Sequence, residues 1–195
     1  MKIISLFSRS GHMLEPWELA GHDVLSIDTH EPTHNFPYIK GDILKIPPME
    51  CDILFAFPPC QNLSSAGARH WKSKGPEVLA ESLVLWSVAH LWTHGASRWM
   101  VENPRGRVVN YWPKWDWKFQ PFEFAEYNPV NPGNDAYTKM TYIWSNFSKP
   151  NPWPKIPTGG MKKHKCYKYP HDRAYRRAIT PKGFAWAVYQ HLIKD

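Results

Sequence analysis

The chain predicts an α/β fold built on a doubly wound, mainly parallel sheet, and three observations lead there. Five short apolar runs read as buried strands, helical stretches separate several of them, and polar turns close each run. Residues 3–7 (Ile-Ile-Ser-Leu-Phe) form the first expected strand, followed by a polar turn through Gly11 and a helical stretch to Ala20 and Gly21. Residues 23–28 give the second strand and complete a βαβ unit. A short third strand leads to Gly41-Asp42-Ile43, and residues 52–57 make the fourth. A long helix is expected over about 77–94, where Leu79, Leu83, Trp86 and His90 fall at helical spacing and Val84, Val88 and Leu91 widen the apolar face. Residues 98–102 supply the fifth strand.

After Pro104 prolines and tryptophans crowd the next fifty residues, which argues against long regular helices. The strand candidates there are Phe122-Glu123-Phe124 and Thr141-Tyr142-Ile143-Trp144, expected as an antiparallel pair at the sheet edge. Residues 161–177 interleave Lys162, Lys163, Lys165, Lys168, Arg173, Arg176 and Arg177 with Tyr167, Tyr169 and Tyr175. Such a pattern suits a phosphate backbone with exposed bases, and equally describes a solvated loop. From Pro181 the pattern Phe184, Trp186, Ala187, Val188, His191, Leu192 returns to a helix with a proline near its first turn.

At 195 residues the chain suits one domain with one substantial core. Its formal charge of +7 favours an anionic partner. Cys51, Cys60 and Cys166 are odd in number and form no C-x-x-C pair, so a disulfide framework or a cysteine zinc knuckle is not expected, and a reducing, cytoplasmic setting fits. The amino-terminal apolar run is too short for a signal segment. The longest apolar stretch, residues 83–92, contains Ser87 and His90, so no membrane span is expected. His30-Glu31-Pro32-Thr33-His34 spells H-E-x-x-H, but that zinc motif requires a helix that Pro32 and Pro37 oppose, and no metal is expected.

Two strand ends carry the chemistry. Pro58-Pro59-Cys60-Gln61 follows the fourth strand, and Glu102-Asn103-Pro104 ends the fifth; in an open α/β sheet ligands collect outside those carboxyl ends. A cysteine there reads either as one more buried thiol or as a nucleophile. Taken in order with Phe7-Ser8-Arg9-Ser10-Gly11, Asp28 and Gly41-Asp42-Ile43, these segments resemble the DNA cytosine-5 methyltransferase family over residues 3–144, with a weaker echo at the carboxyl terminus. The resemblance implies a Rossmann-like class I S-adenosylmethionine-dependent methyltransferase. DNA would be its partner, as a single strand or a base flipped from a duplex, with RNA or a free cytosine nucleotide and a non-catalytic binding protein as the alternatives.

The resemblance also implies roles for particular residues. Cys60 is the thiolate that adds to C6 of cytosine, Glu102 the acid facing N3 and the exocyclic amine, Pro59 the backing of base and methyl donor, and Asn103 the brace of the Cys60 loop. Phe7, Ser8, Gly11, Asp28, Asp42 and Ile43 would contact the cofactor, with Asp28 on the ribose and Asp42 on the adenine amine. Gln61, Ser64, Lys139, Lys162, Lys163, Lys165, Arg176 and Arg177 would meet the nucleic acid. Arg9 and His12 depart from the family's small residues in the cofactor turn, and Lys139 within Tyr137-Thr138-Lys139-Met140-Thr141 stands where a pair of arginines is usual. Residues 145–177, basic and proline-rich, occupy the place of a long recognition domain, as in a compact, virus-type version of the family acting in a host cytoplasm.

Overall fold

The computed structural model describes residues 1–152, 162–163 and 178–194, with the backbone alone for 66, 67, 69, 162 and 163. Seven strands make one sheet: β1 (Lys2–Leu6), β2 (Asp23–Asp28), β3 (Tyr38–Lys40), β4 (Cys51–Ala56), β5 (Ala96–Pro104), β6 (Trp117–Phe119) and β7 (Thr141–Ser145). Their spatial order is β3-β2-β1-β4-β5-β7-β6. Strands β1 to β5 pair in parallel, while β7 runs antiparallel to both β5 and β6. The chain is a Rossmann-like α/β protein with an antiparallel edge, the fold class the sequence predicts. It winds outward from β1 to β3 and then in the other direction through β4 and β5, so the reversal falls between β1 and β4. That is where an open sheet of this kind forms its ligand crevice.

Period-two alternation sorts the strand residues between two apolar layers. Ile3, Ile53, Phe55 and Met100 face Met13, Leu14 and Trp17, around helix α1 (Glu15–Leu19), together with Phe184, Ala185 and Val188 of α3 (Lys182–Leu192). Ile4, Leu6, Leu54, Ala56 and Val101 face Trp86, Ala89 and Trp92 of α2 (Pro76–Thr93). Trp86 is fully buried and meets Trp144 edge-on at 4.8 Å and Trp112 at 6.0 Å. Trp86→Ala should therefore lower stability by about 3–5 kcal/mol, read as a shift in the urea midpoint at unchanged slope.

Three details differ from the sequence reading. The buried line of α2 runs through Ser82, Trp86, Ala89 and Trp92, whereas Val84 and Leu91, assigned to the inner face, are 48% and 53% exposed. The helix is apolar around much of its circumference, so spacing alone does not select the inward side. Residues 122–124 are not a strand: they lie in a 3-10 helix, Pro121–Tyr127, opened by Pro121 and closed back by the Glu123 carboxylate, which accepts from the Gln120 N–H at 2.8 Å. The strand that pairs with β7 is instead Trp117–Phe119, fixed because Phe119 is buried and stacks on Phe184 of α3 at 4.0 Å.

The connection from β2 to β3 contains no helix. His34 and Phe36 stack there at 3.7 Å, and His34 hydrogen-bonds through Nε2 to Ser26 Oγ at 3.0 Å. These rings sit against Gly11, where a Cβ would stand 2.3 Å from Phe36 Cζ and 2.5 Å from His34 Cδ2, at a left-handed φ of +66°. Gly11 thus makes room for the chain's own rings.

Candidate active site

The Cys60 carbonyl accepts from the Leu63 and Ser64 N–H groups at 3.0 and 2.8 Å, which winds residues 60–64 into a tight turn just beyond β4. Strand β5 lies beside β4, with Ala56 opposite Val101, so Glu102-Asn103-Pro104 projects past the same rim. The two segments are then joined. Ser65 donates to the Arg105 carbonyl from its N–H at 2.8 Å and its hydroxyl at 2.6 Å. Arg107 donates from N–H to the Leu63 carbonyl at 2.8 Å and from Nε to the Asn62 carbonyl at 2.9 Å. Between them Ser64 and Gly106 form an antiparallel bridge.

Gly106 is required by proximity, because a Cβ there would lie 1.9 Å from the Leu63 carbonyl oxygen and 2.6 Å from Ser64 Cα. Neither neighbour is a movable side chain. Gly106→Ala is expected to part the two segments, with a loss of about 1–3 kcal/mol in a denaturant titration.

Glu102 is the perturbed acid at this rim. Burial pushes its carboxyl above the usual carboxylate range, and Lys139 offsets this only in part, its Nζ standing 3.9 Å from Glu102 Oε1. Its side chain remains 14% exposed, enough to reach a ligand at the rim. Asn103 is fully buried, and both its amide nitrogen and oxygen are without hydrogen-bond partners. The expected brace between Asn103 and the Cys60 loop is thus not made; backbone and side-chain bonds from Ser65 and Arg107 hold the loop. Asn62 adds to this anchorage, donating to Ser82 Oγ of α2 at 3.0 Å and accepting from Lys74 Nζ at 2.6 Å. Pro58 is buried, while Pro59 and Cys60 are half-buried.

The expected cofactor residues surround the carboxyl ends of β1 and β2. Phe7 sits at φ +58°, unusual for a residue with a Cβ, and its N–H donates to the Ile27 carbonyl at 2.7 Å. It packs against the apolar layer that contains Ile43, which is itself buried. Asp28 accepts from the His30 N–H at 2.9 Å and from His30 Nδ1 at 3.0 Å; Asp42 Oδ1 caps the next 3-10 turn by accepting from the Leu44 N–H at 3.1 Å. The Gly41 N–H donates to the Asp28 carbonyl at 3.0 Å, bringing the two acids' segments together. An apolar wall edged by two acids fits an adenosine group with its ring, amine and ribose hydroxyls. Ser8 is buried, and His12 ties this turn to the residues just before α3 by hydrogen-bonding through Nδ1 to the Thr180 carbonyl at 2.9 Å.

The expected nucleic-acid contacts divide. Gln61 is exposed beside Cys60 and Lys139 stands over Glu102, whereas Ser64, also expected at the nucleic acid, is only 6% exposed and forms the bridge to Gly106. Lys162–Lys163 forms a two-residue strand parallel to Tyr137–Thr138. Lys165, Arg176 and Arg177 lie outside the described residues. The H-E-x-x-H residues take separate partners: His30 bonds Asp28, Glu31 accepts from Tyr38 and Lys40, and His34 bonds Ser26. Among the described residues no group of three His, Cys, Asp or Glu side chains could hold a metal ion, and no helix is long and apolar enough to cross a membrane.

Cys51 differs from Cys60 in place and chemistry. It lines a shallow depression of about 540 Å³ with Lys2, Asp52 and His94, at the amino ends of β1, β4 and β5. Burial pushes its thiol up to about 11, so it is not a thiolate near neutral pH.

No family model matches the chain. Among solved structures it is similar to a Spodoptera frugiperda DNMT2, with a TM-score of 0.46 and 16% identity over 80% of this chain and 53% of that one. Thermoplasma acidophilum 1320 aligns with a TM-score of 0.42 and 10% identity over 74% of this chain and 77% of that one. A SAM-dependent methyltransferase from Archaeoglobus fulgidus aligns with a TM-score of 0.31 and 18% identity over 53% of this chain and 44% of that one. The chain thus spans about half the length of the insect and Archaeoglobus proteins.

Proposed function

We propose that the chain is one catalytic unit that transfers a methyl group from S-adenosylmethionine to C5 of cytosine in DNA, with Cys60 as covalent nucleophile. The observation that supports this reading is the joining of the Cys60 turn to the segment after Glu102, which sets a thiol and a carboxyl whose pKa burial raises on one rim. S-adenosylmethionine, when bound, supplies an electrophilic methyl group, and Phe7, Ile43, Asp28 and Asp42 are the residues to hold it. The Cys60 thiolate attacks C6, and the electrons of the C5–C6 double bond move to the ring as Glu102 gives a proton to N3. C5 of the resulting enamine takes the methyl group. Loss of the C5 proton to a base then expels the Cys60 thiolate, and return of the N3 proton to Glu102 restores the neutral ring and the acid. Lys139 limits how far the Glu102 pKa rises and balances the carboxylate once the proton has gone.

The test is incubation with S-adenosylmethionine and DNA containing 5-fluorocytosine, in which loss of the C5 substituent is blocked. A covalent protein–DNA complex is expected on denaturing gels, and 5-methylcytosine from ordinary DNA by nucleoside mass spectrometry. Parallel arms with RNA and dCMP identify the substrate; no adduct and no methylated cytosine in any arm would refute the reading.

A further inference from the structure

Two segments far apart in sequence become one surface at the rim. Residues 60–75 and 104–115 are joined by the Ser65–Arg105 and Arg107–Leu63 hydrogen bonds and the Ser64–Gly106 bridge. Together they carry Lys72, Lys74, Arg105, Arg107 and Lys114, and neither segment contains an aspartate or glutamate, although the chain has 17 acids. Aromatic side chains stand among these cations. The Arg107 guanidinium lies 4.5 Å from the centre of the Trp71 ring, Lys114 Nζ lies 5.8 Å from that of Trp115, and Tyr111 is 50% exposed. Lys72, Arg105 and Lys114 are exposed.

We propose that this rim, rather than residues 161–177, is the principal docking surface for a single-stranded nucleic acid, with Lys72, Arg105 and Lys114 along the phosphates and Tyr111 as a stacking platform. The inference rests on the methyl-transfer reading only for what the strand is brought to. A surface rich in cations attracts the phosphate chain, and an exposed ring among the cations takes an unpaired base, a face that stacked duplex bases do not offer. The anchored Arg107–Trp71 pair keeps the surface in shape, since Arg107 is held to the Asn62 carbonyl and Asn62 in turn to α2. A strand lying here runs past Cys60, so one of its bases can enter the site without displacement of a partner strand.

The experiment measures binding of the full chain to fluorescent oligothymidylate, oligouridylate and duplex DNA as a function of salt, with no methyl donor and no cytosine in the strands. The wild type should hold one or both single strands more tightly than the duplex, and the preferred strand tells DNA from RNA. Lys72→Ala/Arg105→Ala/Lys114→Ala should flatten the slope of log K against log salt by about 2, at roughly 0.7 per phosphate contact. Tyr111→Ala should weaken binding about tenfold at fixed salt, whereas Lys118→Ala/Lys194→Ala should change neither quantity appreciably. Unaltered thermal melting confirms that these exposed substitutions leave the fold intact. A triple variant with the wild-type slope, or tighter binding of the duplex, overturns the proposal. A wild type that methylates dCMP yet holds no strand overturns it and leaves the methyl-transfer reading standing; a strand held with no methyl transfer to any cytosine does the reverse.

Discussion

Cys60→Ser is expected to abolish the covalent complex with 5-fluorocytosine DNA and to lower turnover by on the order of 10⁶, the scale seen when a covalent nucleophile is removed. Serine is close in size and keeps the turn geometry, because the Leu63 and Ser64 N–H bonds that wind residues 60–64 run to the Cys60 carbonyl. Its hydroxyl, however, ionises far less readily than a thiol and cannot attack C6 without a strong base. Melting temperature and strand binding should therefore stay near the wild-type values while chemistry disappears. Cys51→Ser serves as the control and should leave turnover unchanged, since that thiol lies at the other end of the strands. Adduct formation by Cys60→Ser, measured by intact-protein mass spectrometry, would remove Cys60 from the mechanism.

Glu102→Gln should lower kcat by about 10²–10⁴, the usual contribution of a positioned proton donor, while raising stability at neutral pH. The sign follows from the direction of the shift. The folded-state pKa of Glu102 is raised by burial, so below its unfolded value both states hold the neutral acid and no cost arises. As pH rises past the unfolded value, the unfolded chain ionises first and gains relative to the folded one. The stability lost in this way accumulates until the folded-state pKa is passed and stays constant above it. Glutamine has no proton to lose, so the variant should show a flatter stability profile over that window and a higher melting temperature at pH 7. A variant less stable than wild type at neutral pH would mean that Lys139 and the carboxylate form a net stabilising pair.

Strands β1, β2, β4 and β5 were legible because each is a short apolar run closed by a polar turn, and burial against the two apolar layers enforces that composition; β3 is an exposed edge of three residues. The opposite edge was not legible. Trp117–Phe119 is only three residues among prolines, and it is a strand because Phe119 finds Phe184 across the core, a tertiary fact. Phe122-Glu123-Phe124 alternates like a strand, yet Pro121 and the Glu123 carboxylate close a helical turn first. At the site, Cys60 and Glu102 could be named from strand ends alone. The basic rim could not, because α2 and most of β5 separate its two halves in sequence, and the run of lysines at 161–177 drew the eye to charge that is continuous along the chain.

The ring pair over Gly11 has a consequence for descent. With Phe36 Cζ 2.3 Å and His34 Cδ2 2.5 Å from where a Cβ would stand, any related chain that keeps this ring pair must keep glycine at 11, and one that acquires a side chain at 11 must shrink both rings. Gly11 is separated from the ring pair by α1 and β2, yet glycine and rings can change only together. That paired constraint offers a way to recognise distant relatives whose overall identity has been lost.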